Sequence, residues 1–246
     1  MSRLFKNKKV ALIGCGDIGN RVATLLQGQG AELTGFRRNP DKIIAGIQAI
    51  TLDVTDKHSV QQLAEHSFDY VVISLTPGIS AKVKDQQAVA DAYRATYVQG
   101  LANVLSALNL QTVKKVIWLS STSVYSQDDG QWIDEMSETS PQRTSGQCLL
   151  EAEALLKPLQ DKAVIIRFAG IYRDGSHRLI TQLQAGKLAA SVDKDYYSNR
   201  IQVQDCARML VFLMAADMQG KVLDAVYIGC DDSPVLYTQL ASFLAA

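Results

Sequence analysis

No stretch of this 246-residue chain stays apolar long enough to cross a bilayer. Its first residues, MSRLFKNKK, lack the apolar segment of a signal peptide. Together these absences predict a cytoplasmic protein with no membrane partner. Net charge is missing too: 25 Lys and Arg balance 25 Asp and Glu, which argues against nucleic acid as the main partner. Cys15, Cys148, Cys206 and Cys230 form no CxxC pair, so they read as reduced, small, mostly buried residues. His58, His66 and His177 lie too far apart in sequence to suggest a metal site. No internal repeat or low-complexity segment appears. What remains is a length and an apolar content suited to one α/β domain over 1–246, with about 170–246 contributing a small lobe.

The strongest positive feature lies near the N-terminus. An apolar strand over 10–13 runs into Gly14, Gly16 and Gly19, and a helical pattern follows at once. Ile18, Val22, Leu25 and Leu26 share one face. Gly28 and Gly30 end the helix, and a second strand spans 32–36. This is a βαβ unit with the G-x-G-x-x-G spacing in its required context. Gly14 permits the tight turn, Gly16 lets the backbone approach a pyrophosphate, and Gly19 lets the helix pack on the strand. Asp17 and Ile18 complete the phosphate loop, whose helix N-terminus offers unpaired N–H groups to an anion.

The second strand selects the cofactor. NAD-binding versions of this unit carry Asp or Glu at its end, to hold the ribose 2′-hydroxyl. Here Phe36, Arg37 and Arg38 stand there, with no acid. Two guanidinium groups suit a 2′-phosphate. NADP(H) is therefore preferred, with NAD(H) the alternative if the arginines merely solvate a loop.

Strands and helices then alternate. Strands are predicted over 49–52, 68–76, 113–121, 163–172, 199–203 and 225–229. Thr55 or Asp56 is expected to cap a helix carrying Val60 and Leu63. A long helix is expected over 83–108, with Val98, Leu101, Leu105 and Leu108 buried. Further helices are expected over 146–156, 177–184, 205–216, with Asp205 as its cap, and 237–245. Residues 127–142 read as an exposed polar loop. Trp118 reads as core and Trp132 as loop packing. The pattern implies a doubly wound parallel sheet, whose ligands bind beyond the carboxyl ends of the strands. That rule gathers Gly14–Gly19, Arg37–Arg38, Asp53, Thr76–Gly78, Ser120–Tyr125 and Ala169–Arg173 into one site.

The segments GCGDIG, LDVTD, LSSTSVY, LLEAE, IRFAGIYRDG and NRIQVQD, in that order, resemble extended short-chain dehydrogenase/reductases, and within them the NAD(P)-dependent epimerase/dehydratase branch. The resemblance implies a Rossmann fold. It implies that Asp53, with Val54 beside it, meets the adenine, and that Leu75, Thr76 and Pro77 lie over the ribose. It also implies that Ser121 binds the substrate oxygen. The family's catalytic pair is a tyrosine with a lysine four residues on. Aligned on Glu153, this chain has Ser145 in the tyrosine slot and Leu149 in the lysine slot, which marks an atypical subgroup. A serine cannot carry negative charge near neutral pH unaided, and leucine supplies no positive charge.

Other groups could move a proton. Tyr125 follows the serine cluster, where the family's tyrosine usually packs. His177 could act as an acid or base, as an imidazole can at physiological pH, or could equally cap a helix. Arg173, Arg178 and Arg200 come from segments that line the substrate side in relatives; they suit a diphosphate or carboxylate, or are solvated surface charge. Two functions remain open. One is an NAD(P)-dependent oxidoreductase or epimerase acting on a sugar-like or nucleotide-linked alcohol or ketone. The other is a catalytically silent NADP(H)-binding sensor. The short C-terminal lobe would enclose a large ligand poorly without a second subunit. Residues 88–108 permit a homodimer, although core packing explains their apolar content equally well.

Overall fold

The structure, a computed structural model, describes residues 4–80, 83–175, 180–181, 184–185 and 196–245. His177 and Arg178 lie outside them. Strands β1 (Lys9–Ile13), β2 (Glu32–Arg37), β3 (Gln48–Thr51), β4 (Tyr70–Ile73), β5 (Lys115–Ser121) and β6 (Ala163–Phe168) form most of the main sheet. Two short pairs stand apart from it. One joins β7 (Gly170–Tyr172) to β9 (Arg200–Gln202) in parallel, the other β8 (Tyr197–Ser198) to β11 (Val235–Leu236) antiparallel. With β10 (Val226–Gly229) on one edge, the sheet runs β10-β6-β5-β4-β1-β2-β3, all parallel. The order reverses between β1 and β4. This is the doubly wound Rossmann sheet expected from the sequence, and its crevice opens at that reversal.

Helices cover both faces, so most strands are buried on both sides. On β1, Val10 and Leu12 join a core with Val22 and Leu26 of α1 (Asp17–Gln27) and Leu210 of α6 (Val203–Met218). Ala11 and Ile13 face the opposite core, with Val60 of α2 (Lys57–Gln61), Leu101 of α4 (Gly100–Ala107), and Leu149 and Leu156 of α5 (Thr144–Leu156). Helix α7 (Tyr237–Ala245) closes the chain. No helix among the described residues is long and apolar enough to cross a membrane.

Several local expectations shift. The long helix begins at α3 (Gln86–Tyr93), capped by Asp85, and passes through a π-helical turn, Arg94–Gln99, before α4. Val98 and Leu105 are only half-buried; Gly100, Asn103 and Val104 turn inward instead. The backbone chooses this face. A Cβ on Gly100 would lie 2.8 Å from Val54 Cγ2, and Asn103 Nδ2 donates to the Val54 carbonyl at 2.9 Å. The sixth strand stops at Phe168, and β7 leaves the main sheet to pair with β9. Asp56, rather than Thr55, caps α2 by accepting from His58 N–H. Gln202, rather than Asp205, caps α6 through Gln204 N–H, and Asp205 pairs with Arg208. Trp118 is fully buried, but Trp132 is 87% exposed and packs the loop little. Cys230 is the exposed cysteine; the other three are buried, and all four are free.

Behind the site, a buried ion pair pins α5 to the sheet. Arg167 donates through Nη2 to Glu153 Oε2 at 2.7 Å and through Nε to Oε1 at 3.1 Å. Ser120 Oγ adds a third bond to Oε1 at 2.6 Å. Removing one partner strands a buried charge, so Glu153→Ala should lower unfolding free energy by about 3–5 kcal/mol. Glu151→Ala, at an exposed ion pair with Arg94, should leave the urea midpoint nearly unchanged. The glycine turn gives a second contrast. Gly14 has φ +75°, and a Cβ there would lie 2.1 Å from the Ser74 carbonyl oxygen. A Cβ on Gly16 meets nothing closer than 3.7 Å. In urea titrations Gly14→Ala should cost more than about 2 kcal/mol and Gly16→Ala, which meets only the N-cap preference for glycine over alanine, about 1 kcal/mol or less.

Candidate functional site

The turn from β1 into α1 satisfies its own backbone up to Gly16. Gly14 and Cys15 N–H donate to the Phe36 carbonyl at 2.8 and 2.9 Å, and Gly16 N–H to the Gly14 carbonyl at 2.6 Å. Gly16 is the N-cap of α1, with no side-chain cap. The first-turn amides of Asp17, Ile18 and Gly19 therefore have no intrahelical acceptor. Gly19 seats the helix: a Cβ there would stand 3.1 Å from Cys15 Sγ. Cys15 itself serves the loop. Its thiol donates to Asn20 Oδ1 at 3.4 Å, and burial, opposed only in part by Arg37, pushes its pKa up to about 11.

A cleft of about 280 Å³ opens beside this turn. It brings together Gly14, Gly16, Arg37, Arg38, Asp53, Val54, Leu75 and Thr76 from the sequence-derived set. Arg37 folds back to donate to the Cys15 carbonyl at 3.2 Å. Arg38 reaches the loop after β4, where a Cβ on Gly78, next to Pro77, would meet its Nη1 at 2.3 Å. Asp53 Oδ1 accepts from Thr55 N–H at 2.9 Å and Thr55 Oγ1 at 2.7 Å, which fixes the carboxylate at the rim. Asn39, Lys42 and Thr96 also line the cleft and escaped the sequence reading. Lys42 is placed by Asn20, whose Nδ2 donates to the Lys42 carbonyl at 3.0 Å. Thr96 comes from the π-helical turn, a feature common at functional sites and invisible to periodicity.

Asp17 does not line the cleft with its side chain. Its Oδ1 accepts from Arg21 Nε at 2.9 Å and its Oδ2 from Arg173 Nη1 at 3.0 Å. Burial works to raise its pKa, but the hydrogen bonds from Arg173 and Arg21 outweigh it and leave the carboxyl below its ordinary value.

Beyond β5, Ser121 Oγ accepts from Ser123 N–H at 3.1 Å and caps a short 3-10 turn, Thr122–Val124. Helix α5 packs on this turn through Gly146, where a Cβ would stand 2.3 Å from the Ser123 carbonyl oxygen. Ser145 is half-buried beside it, while Leu149 is 5% exposed and belongs to the apolar core. Tyr125 is held on two sides: its hydroxyl accepts from Arg167 Nη1 at 2.7 Å and donates to the Asp134 carbonyl at 3.0 Å. Burial raises its pKa above the ordinary phenol value despite Arg167.

A second cavity, of about 540 Å³, lies past the carboxyl ends of β5, β6 and β10. Thr122 and Tyr125 line it, with Trp132, Tyr197, Asn199, Cys230 and Asp232, which the sequence reading missed. The rule of carboxyl ends, applied to β10, points to Cys230 and Asp232. Trp132 and Tyr197 carry no local signal. Arg173 and Arg200 are not brought together on its wall: Arg173 binds Asp17, and Arg200 sits on β9 with its Nε buried and without a hydrogen-bond partner. Among the described residues, no three His, Cys, Asp or Glu side chains cluster to hold a metal.

The profile of the NAD dependent epimerase/dehydratase family matches residues 12–229. Protein YeeZ of Escherichia coli K12 is 26% identical over 242 residues, 96% of this chain and 84% of its own. A solved structure from Methylobacillus flagellatus, named for the same family, is 32% identical, with a TM-score of 0.78 over 98% of this chain and 81% of its own. The fold is shared by UDP-glucose 4-epimerase from Brucella ovis in complex with NAD, at 20% identity and TM-score 0.75 over 95% of this chain and 80% of its own. It is shared also by dTDP-4-dehydrorhamnose reductase from Bacillus anthracis in complex with NADP, at 20% identity and TM-score 0.73 over 97% and 79%. With that profile running from β1 and the glycine turn through to the end of β10, the chain belongs to the NAD dependent epimerase/dehydratase family.

Proposed function

We propose that this protein binds NADP(H) in the cleft beside Gly14–Gly19 and acts as an oxidoreductase or epimerase on a sugar-like or nucleotide-linked alcohol or ketone. One observation carries the reading: the uncapped first turn of α1 opens on a cleft lined by Arg37, Arg38 and Lys42 and one carboxylate, Asp53. Such a cleft suits a polyanion. The open space at Gly16 fits a pyrophosphate, which the amides of Asp17, Ile18 and Gly19 would hold. Asp53 would accept from the adenine amino group, and Arg37 with Arg38 would grip a 2′-phosphate. Leu75, Thr76 and Pro77 would cover the ribose.

A bound nicotinamide supplies or takes a hydride. Ser121 would orient the substrate oxygen, and the cavity of Trp132, Tyr197 and Asn199 would seat the sugar-like ring, with residues about 170–246 as its lobe. Proton transfer is the weak link. Tyr125 is engaged by Arg167 and has a raised pKa, and Ser145 has no cation at Leu149. Positioning would then provide most of the rate, with water or His177 moving the proton. The buried Leu149 favours a second reading, a catalytically silent NADP(H) sensor. A homodimer through α3, α4 and α5 belongs to the same proposal.

Two measurements test this. Purified protein should consume NADPH with at least one member of a panel of ketones, or, because an epimerase returns its hydride and leaves the absorbance unchanged, convert a nucleotide sugar to its epimer as read by chromatography. A flat trace and no epimer, with tight NADPH binding, would favour the sensor. In calorimetry Arg38→Ala should weaken NADP+ by about 10- to 100-fold, the worth of hydrogen bonds to a charged group, while changing NAD+ less than about threefold. Tighter NAD+ than NADP+ binding by the native protein would reject the cofactor assignment.

A further inference from the structure

Asp17 puts a carboxylate at the one helix terminus where an anionic ligand is to bind. At the first turn it favours the helix itself, because negative charge complements the dipole there. For a pyrophosphate the same charge is repulsive. The structure cancels it twice: Arg21 takes Oδ1 and Arg173 takes Oδ2. The two arginines differ in freedom. Arg21 Nη1 also donates to Gln204 Oε1 at 2.9 Å, so its guanidinium is anchored between α1 and α6. Arg173 arrives from the loop after β7, and its side chain is 57% exposed. A guanidinium carries five N–H donors, and the Asp17 bond uses one. With both arginines in place the trio carries a net charge of +1. Without Arg173 it is neutral, and Oδ2 stands bare beside the uncapped amides.

We infer that Arg173 is a counter-charge clasp: held by Asp17, it makes the first turn of α1 a net-cationic seat for the dinucleotide's pyrophosphate and ties residues 173–175, at the end of β7, to occupancy of that seat. The inference rests on the dinucleotide reading above and adds to it a link between the cofactor cleft and the chain leading to the substrate side. Arg173 is thus a positioning and specificity residue for the pyrophosphate, distinct from Arg37 and Arg38. Those two discriminate NADP from NAD, whereas the clasp acts on both alike.

That difference makes the test. Calorimetry on the full chain would compare the native protein, Arg173→Gln, Arg173→Lys, Asp17→Asn and the Asp17→Asn/Arg173→Gln double variant, with NADP+, NAD+ and 2′-AMP as probes. Arg173→Gln should weaken both dinucleotides by about the same factor, roughly tenfold, and more at low salt. It should leave 2′-AMP, which lacks the pyrophosphate, within about twofold. Arg173→Lys should keep part of the affinity, and removing the Asp17 charge as well should recover most of the loss. Hydrogen exchange should slow at residues 170–175 when NADP+ or NAD+ binds the native protein, and should not in Arg173→Gln. Unchanged dinucleotide binding by Arg173→Gln, equal losses for 2′-AMP, or no recovery in the double variant would each overturn the clasp alone. Absence of dinucleotide binding to the native protein would overturn the cofactor reading and the clasp together.

Discussion

Among the described glycines, Gly14 leaves the least room for a side chain: a Cβ there would press on the Ser74 carbonyl. This approach joins the end of β1 to the end of β4, the two strands at which the sheet order reverses. Because β1 turns so tightly there, α1 starts immediately beyond the sheet, with its N-cap Gly16 on the wall of the cleft. The backbone of β2 completes the arrangement, since the Phe36 carbonyl accepts from both Gly14 and Cys15. The same strand then delivers Arg37 and Arg38 to the rim. One steric constraint thus sets where the uncapped turn of α1 stands relative to the guanidinium groups.

The two cavities differ in charge. The cleft beside α1 is lined by three cations and Asp53, whereas the described wall of the second cavity offers aromatic rings, amides and hydroxyls, with Asp232 as its charged side chain. A phosphate-rich ligand suits the first far better than the second. The Asp17–Arg173 pair lines neither cavity; Arg173 is bonded instead to the start of α1. A substrate diphosphate would have to compete with Asp17 for this arginine. The second cavity, taken by itself, favours the sugar-like part of the proposed substrate over its nucleotide part.

Legibility in the sequence followed the range of the interactions. The glycine turn, the alternation of strands and helices and much of the first cleft follow from local spacing and from one rule about strand ends, so Gly14, Arg37, Asp53 and Thr76 fall together. Lys42 and Thr96 were missed because their positions depend on distant partners. Asn20 fixes the loop carrying Lys42, and a π-helical turn rotates Thr96 to the cleft. The inward face of α4 was misread for a similar reason: its register is set by backbone approach at Gly100 and a buried hydrogen bond from Asn103, neither of which hydropathy reports. Trp132 and Tyr197 reach the second cavity from a long loop and a two-residue strand, and no pattern in either segment signals it.

The departures at Ser145 and Leu149 are coupled to the surrounding packing. Leu149 lies in the apolar core with Trp118 and Leu101 nearby in the same cluster, so a lysine there would have to lose its hydration with no acid provided for it. The charge that α5 does bury, Glu153, is saturated by Arg167 and Ser120 and points to the sheet. Arg167 in turn holds Tyr125 by hydrogen bond and lies over its ring at 5.0 Å. The helix that carries catalysis in the resembled family is here committed to structure along its buried face. Proton transfer in the proposed reaction therefore falls to groups outside this buried face, water or His177 in the reading above.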